Sequence, residues 1–116
     1  MLKLVESKTF KAVVDVVIPT TDPNKPIRGN FTAEFKHMGR EALDTAFEQS
    51  NDDAEFLREV LVGVDGIVGP GGETLSPEVQ MTTVLDSPTM AAATVRVFFK
   101  QVAGVAGKNS RPSRSR

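Results

Sequence analysis

Two stretches near the amino terminus alternate between apolar and polar residues. In residues 10–18 and 27–35, every second position is apolar or glycine, which is the pattern of a strand that buries one face. The residues between them, PTTDPNKP, combine three prolines with Asp and Asn. This segment favours a turn, because proline fixes φ and lacks an amide donor. The pattern therefore predicts an antiparallel β-hairpin with one exposed face.

The remainder of the chain places apolar residues at helical spacing. Residues 40–48 predict a first helix, with Leu43 and Phe47 four positions apart. A second helix is predicted to begin after Asp52, whose carboxylate can cap it with Glu55 three positions further on. Its apolar face comprises Phe56, Leu57, Val60 and Leu61, and Gly63 and Gly66 are expected to end it.

Two further helices are predicted from a repeated start signal. Ser76-Pro77 and Ser87-Pro88 each place a capping hydroxyl before a proline, whose missing N–H is not needed in the first turn. The last helix is expected to be the longest, because apolar residues recur along it at spacings of three and four: Ala91, Val95, Phe98, Val102 and Val105. The glycine-rich residues 64–75 predict a short extended piece at Ile67 and Val68, followed by a turn.

Together these elements predict one α+β domain over residues 1–106. An N-terminal antiparallel β-hairpin packs against three or four C-terminal α-helices. Residues 107–116, GKNSRPSRSR, carry four positive charges and no large apolar side chain, so we expect a disordered basic tail. We expect no membrane partner, because no apolar run is long enough for a signal peptide or a span. The absence of cysteine gives no reason to expect an oxidising compartment, and the cytoplasm is the default.

The net charge of −1 conceals three blocks of opposite sign. Residues 1–40 hold seven basic and four acidic side chains, residues 41–86 hold one and eleven, and residues 87–116 hold six and none. The blocks therefore carry +3, −10 and +6. Opposite charges steer proteins together, so the basic end of one subunit can meet the acidic middle of another, and homo-oligomerisation is one expected outcome.

Few side chains are suited to catalysis or to ligand binding. His37 is the single histidine, and we interpret it as a solvated or capping side chain at the end of a strand. Asp52, Asp53 and Glu55 lie close together, but acids are typical of the first turn of a helix, where they favour the positive end of its dipole. The glycine-rich residues 69–74 lack the lysine of a phosphate loop. The sequence thus predicts no enzyme, no metal and no cofactor.

Nucleic-acid binding is an alternative that the composition disfavours. The basic tail could neutralise phosphates. The chain has no Trp or Tyr to stack on bases, however, and its acidic middle repels phosphate. A small nucleic-acid-binding regulator stays open as an alternative function on the strength of the tail alone.

Short motifs in the second half of the chain occur in a recognisable order. Residues 51–67, NDDAEFLREVLVGVDGI, precede a glycine-rich turn, then Leu75-Ser76-Pro77-Glu78, a second Ser-Pro at residues 87–88, and a helix ending near Lys108-Asn109. Over residues 51–109 this order resembles the tail assembly chaperones of long-tailed, siphovirus-type bacteriophages. The chain departs from the family at Val64, where many relatives have Trp.

The resemblance implies a non-enzymatic protein of the host cytoplasm that is absent from the mature virion. Such chaperones bind the tape measure protein and help recruit major tail tube subunits, so these two proteins are the implied partners. The alternative within the same system is a virion structural subunit of the tail or connector, whose hairpin would pair edge to edge.

A chaperone for an apolar helix needs an apolar stripe or groove. The candidate partner-binding residues are Phe56, Val60, Leu61, Val64, Ile67, Ala91, Val95, Phe98 and Val102. The alternative for each of them is a place in the protein's own core, which is the usual role of a stripe at helical spacing.

Overall fold

The computed structural model describes Leu2 and residues 8–103. Over these residues the elements follow in the order β1 (Thr9–Ile18), β2 (Ile27–Lys36), α1 (Arg40–Gln49), α2 (Asp53–Val60), β3 (Leu61–Asp65), α3 (Pro77–Asp86) and α4 (Pro88–Ala103). The predicted α+β class, with an N-terminal hairpin followed by helices, is confirmed. The tail at residues 107–116 and Val105 lie outside the described residues.

Strands β1 and β2 form the predicted hairpin. They pair antiparallel along their whole length, from Thr9 opposite Lys36 to Ile18 opposite Ile27. The inward face is buried at its centre, as the full burial of Val14 shows. Burial does not extend to the turn, because Ile27 is 58% exposed.

A third strand replaces the last part of the predicted second helix. Helix α2 ends at Val60, and Leu61, which the sequence placed on the helix face, has extended backbone (φ −89°, ψ 123°) and begins β3. Strand β3 pairs antiparallel with β2, with Phe35 opposite Leu61. Backbone groups on the second edge of β2 need hydrogen-bond partners, and a valine-rich segment supplies them as a strand. The hairpin is therefore part of a three-stranded sheet in the order β1-β2-β3.

An irregularity in β3 keeps its apolar residues on the buried side. The pairing register shifts between Glu34 and Phe35, so β3 holds one extra residue opposite β2. Leu61 and Val64 are both buried although they are three positions apart, and Val62 is 43% exposed. In a regular strand, residues three apart would face opposite sides of the sheet.

The helices begin at the predicted capping residues. The Asp52 carboxylate accepts a hydrogen bond from the Glu55 amide at 2.9 Å, and the Ser76 hydroxyl caps α3. Ser87 ends α3, and its hydroxyl accepts a hydrogen bond from the Met90 amide in the first turn of α4. A single residue thus joins α3 to α4, which at 16 residues is the longest of the described helices, as predicted.

The helices cover one face of the sheet. Helix α4 packs against β1, α3 packs against β3, and α2 contacts both α3 and α4. One apolar cluster fills the interface, and Phe35, Leu57 and Phe98 are at most 1% exposed within it. On the opposite face, side chains such as Val13 and Asp15 of β1 are exposed. The fold thus has a helical side, a bare sheet face and a sheet edge at β1.

Candidate functional site

Most of the residues that the sequence predicted to bind a partner are buried. Six of the nine are exposed by 6% or less: Phe56, Val60, Leu61, Val64, Ala91 and Phe98. Ile67 and Val95 are partly buried, and Val102 is 48% exposed. A buried side chain offers almost no surface to another protein. In the folded chain the six therefore serve the core, and Val102 is the member of the set most open to a partner.

Phe98, at the centre of the apolar stripe of α4, packs against rings of the core. Its ring centroid lies 5.1 Å from that of Phe35 in β2, 5.6 Å from that of Phe56 in α2 and 6.0 Å from that of Phe10 in β1. The ring therefore joins the sheet to the helices. The centre of the predicted stripe is packing surface, and a docking site has to be sought beside it.

An open groove lies between α1 and α4 at the edge of this core. We call it the α1–α4 groove. It has a volume of about 400 Å³ and is lined by Leu43, Phe47 and Phe99 together with Asp44 and Glu48. Phe47 is 55% exposed, whereas phenylalanine is among the side chains most often buried. The groove thus combines three apolar side chains with two carboxylates.

The ring of Phe47 is held in place by other rings. Its centroid lies 5.9 Å from that of Phe56 and 5.9 Å from that of Phe99, and both contacts are edge to face. Phe56 and Phe99 are themselves stacked, with centroids 5.3 Å apart. These are favoured aromatic geometries. The exposed ring is thus positioned by the core before a ligand binds, which lowers the entropy lost on binding.

A second groove adjoins the first. It has a volume of about 440 Å³ and is lined by Phe10, Met38, Leu43, Phe98 and Val102 together with the polar side chains of Lys36, His37 and Gln101. The His37 ring lies 4.9 Å from the Phe10 ring, and the histidine is exposed just after β2. Because Leu43 lines both grooves, they form neighbouring parts of one surface, in which apolar side chains lie beside charged and polar ones.

The α1–α4 groove lies in an acidic part of the chain. Helix α1 carries three acids and one base, and residues 52–60 carry four acids and one base. Asp44 and Glu48 are one helical turn apart, so both carboxylates lie on the same side of α1. A cationic group of a ligand would be attracted to this rim.

In the glycine-rich turn between β3 and α3, a backbone amide binds the carboxylate of Glu73, which is itself a residue of the turn. The Gly71 amide donates to Glu73 Oε1 at 2.9 Å, and the Gly69 amide donates to the Glu73 carbonyl at 2.9 Å. Val68 and Thr74 form an isolated bridge across the turn, as expected for the predicted extended piece and turn. A Cβ atom at Gly69 would overlap the Glu73 side chain. The amides of Gly69 and Gly71 are therefore paired with Glu73, and the Gly72 amide donates to the Gly69 carbonyl, so none of these three is available to an anion.

Two of the three neighbouring carboxylates at the start of α2 have structural partners. Asp52 caps the helix, and Glu55 Oε1 accepts a hydrogen bond from the Asn51 amide at 2.9 Å. Within residues 8–103, no group of three or more His, Asp or Glu side chains is placed to hold a metal ion.

A helix that crosses a bilayer needs about 20 mostly apolar residues. In the described part of the chain, no helix is long and apolar enough to do so.

Comparison of this chain with protein-family models, with curated proteins and with solved structures finds no match.

The sequence identified two of the three apolar residues that line this groove. It recognised Leu43 and Phe47 as a helical stripe but did not connect the stripe with binding, and it missed Phe99. The available signal was the pair of acids that flank the stripe, because an apolar face bordered by charge is typical of a surface groove. Phe99 follows Val95 by four positions and precedes Val102 by three, so it lies at the edge of the α4 stripe, and this spacing was the signal that could have found it.

Proposed function

We propose that this chain is a tail assembly chaperone of a long-tailed bacteriophage, and that it binds the tape measure protein and helps to recruit major tail tube subunits without catalysing a reaction. The observation that carries the proposal is the α1–α4 groove, in which the core holds an aromatic ring at the surface. The order of motifs over residues 51–109 supports it. We place the protein in the host cytoplasm and expect it to be absent from the mature virion.

The groove suits an apolar helix better than a small molecule. A helix docks by inserting side chains three or four positions apart into apolar depressions. The α1–α4 groove and the groove next to it can each receive one such side chain, on either side of Leu43. Phe47 and Val102 would contact the helix from the two ends of this surface, since both are exposed.

Co-expression with the tape measure protein of the same phage tests the proposal. We expect the wild-type chain to keep the tape measure protein soluble, and Phe47→Asp to abolish this, because a charge in the groove would be desolvated by the docked helix. Phe47→Ala should give an intermediate yield of soluble tape measure protein. Val79→Asp is the matched control, because Val79 is 48% exposed on α3 and lines neither groove.

The fold of each variant is checked by its far-ultraviolet circular dichroism and thermal unfolding. A folded Phe47→Asp variant that solubilises the tape measure protein as well as the wild type does would place the binding surface elsewhere. If the wild-type chain has no effect on tape measure solubility, the proposed function is wrong.

A further inference from the structure

Strand β1 forms an edge of the sheet. In the part of the chain that the structure describes, β1 pairs with β2 on one side and with no strand on the other. Val13, at its centre, is 59% exposed on the outer face, and Asp15 is exposed beside it. The backbone of an edge strand can pair with a further strand from another chain.

A groove of about 330 Å³ lies between this strand and α4. It is lined by Val13 and Asp15 of β1 and by Ala93, Arg96, Val97, Lys100 and Gln101 of α4. Helix α4 therefore lies along β1, and the groove leaves space for a further strand beside it. Apolar side chains and the long stems of Arg and Lys can cover an added strand while their charged ends stay in water.

The sequence of β1 is complementary to itself. Its outward-facing residues include Lys11, Val13 and Asp15, which lie at equal intervals. When two copies of the strand pair antiparallel with Val13 opposite Val13, Lys11 of each copy lies opposite Asp15 of the other. Directly opposite residues of an antiparallel pair are close neighbours on the same face, so both contacts join opposite charges.

Other registers lose these contacts. A shift of two residues keeps the same faces together, but it places Lys11 opposite Val17 or opposite Val13 of the other copy. A shift of four residues opposes Lys11 with Lys11 or Asp15 with Asp15. The register centred on Val13 is the one in which both charges are paired.

We propose that this chain forms a dimer in which the β1 strands of two copies pair antiparallel about Val13, so that the two sheets join into one. The occupant of the β1 edge is a second copy of this chain, because the strand carries its own complementary charges. Among the described residues, none that lines this edge also lines the α1–α4 groove, and the groove next to that one shares Gln101 with it. The dimer is argued from the pairing and charges of β1, so the proposal does not depend on the proposed function.

Two charge reversals and their mixture test the dimer by sedimentation equilibrium. Wild-type protein is measured up to about 1 mM, where an interaction with a Kd of that order still populates the dimer. Lys11→Asp opposes two acids at both ends of the interface, and Asp15→Lys opposes two bases. Each variant alone should raise the Kd of the dimer by about tenfold or more. Mixed in equal amounts, the two variants should dimerise as tightly as the wild type, because every contact between them joins opposite charges.

The matched controls are Lys36→Asp in β2 and Asp65→Lys in β3. They make the same changes of charge at exposed positions away from the β1 edge and should leave the Kd unchanged. Recovery on mixing also excludes a folding defect, which a second defective chain would not repair. A monomeric wild type at every concentration, a dimer unaffected by either reversal, or a mixture no tighter than its components would each overturn the proposal.

Discussion

Gln80 shows what one buried polar side chain does in this fold. It is 6% exposed on α3. Its Oε1 accepts a hydrogen bond from the Ile67 amide at 2.9 Å, and its Nε2 donates to the Leu75 carbonyl at 3.0 Å. These two backbone groups flank the glycine-rich turn, so one side chain fastens both ends of the loop to α3. A buried polar group needs partners of this kind to be tolerated.

We expect Gln80→Leu to lower the free energy of unfolding by about 2 kcal/mol or more, because two backbone groups lose their hydrogen bonds while the volume of the side chain is nearly kept. Urea unfolding followed by circular dichroism measures the change. Gln49→Leu is the control, since Gln49 is exposed at the end of α1, and it should change the stability by less than about 0.5 kcal/mol. Equal effects of the two substitutions would show that the Gln80 hydrogen bonds contribute little.

The elements that depend on residues a few positions apart were predicted correctly, and those that depend on distant residues were not. The hairpin and the helix starts could be predicted because alternation, proline and capping residues act within a few positions. Strand β3 could not, because Leu57, Val60 and Leu61 satisfy a helical spacing, and what favours a strand is the unpaired edge of β2, distant in sequence. The α1–α4 groove was missed for the same reason, since Phe99 reaches it only when α1 and α4 meet.

Replacing two glycines by alanine distinguishes strand β3 from the predicted helix, because the two structures predict different signs for the change in stability. Gly66 follows β3 with φ +103°, so Gly66→Ala should destabilise the fold by about 1–3 kcal/mol through backbone strain. Gly63 lies within β3 without positive φ, and a Cβ atom there would meet open space. Gly63→Ala should therefore raise the stability by up to about 1 kcal/mol. In the predicted helix, which ends at these glycines, a left-handed C-cap would make both substitutions destabilising, so the sign of the Gly63→Ala change in thermal unfolding decides between the two structures.

The molecule has two separate surfaces that suit different partners. The α1–α4 groove offers apolar side chains beside carboxylates, and the β1 edge offers a self-complementary strand. In the proposed dimer, two copies of the groove would belong to one particle. Two linked sites bind a long partner more tightly than either site alone, because the second contact forms within the complex. A tape measure protein, being long and helical, is a partner that could use both.

The composition of the virion distinguishes a chaperone from a structural subunit of the tail. Trypsin cleaves after Arg40 and Arg58 and at no residue between them, which releases the peptide EALDTAFEQSNDDAEFLR. We expect mass spectrometry to detect this peptide in lysates of infected cells and not in purified virions, because a chaperone leaves once the tail is built. Peptides of the tape measure and tube proteins in the same digest are the positive control. Recovery of the peptide from purified virions in a fixed ratio to the tube protein would instead make this chain a virion subunit.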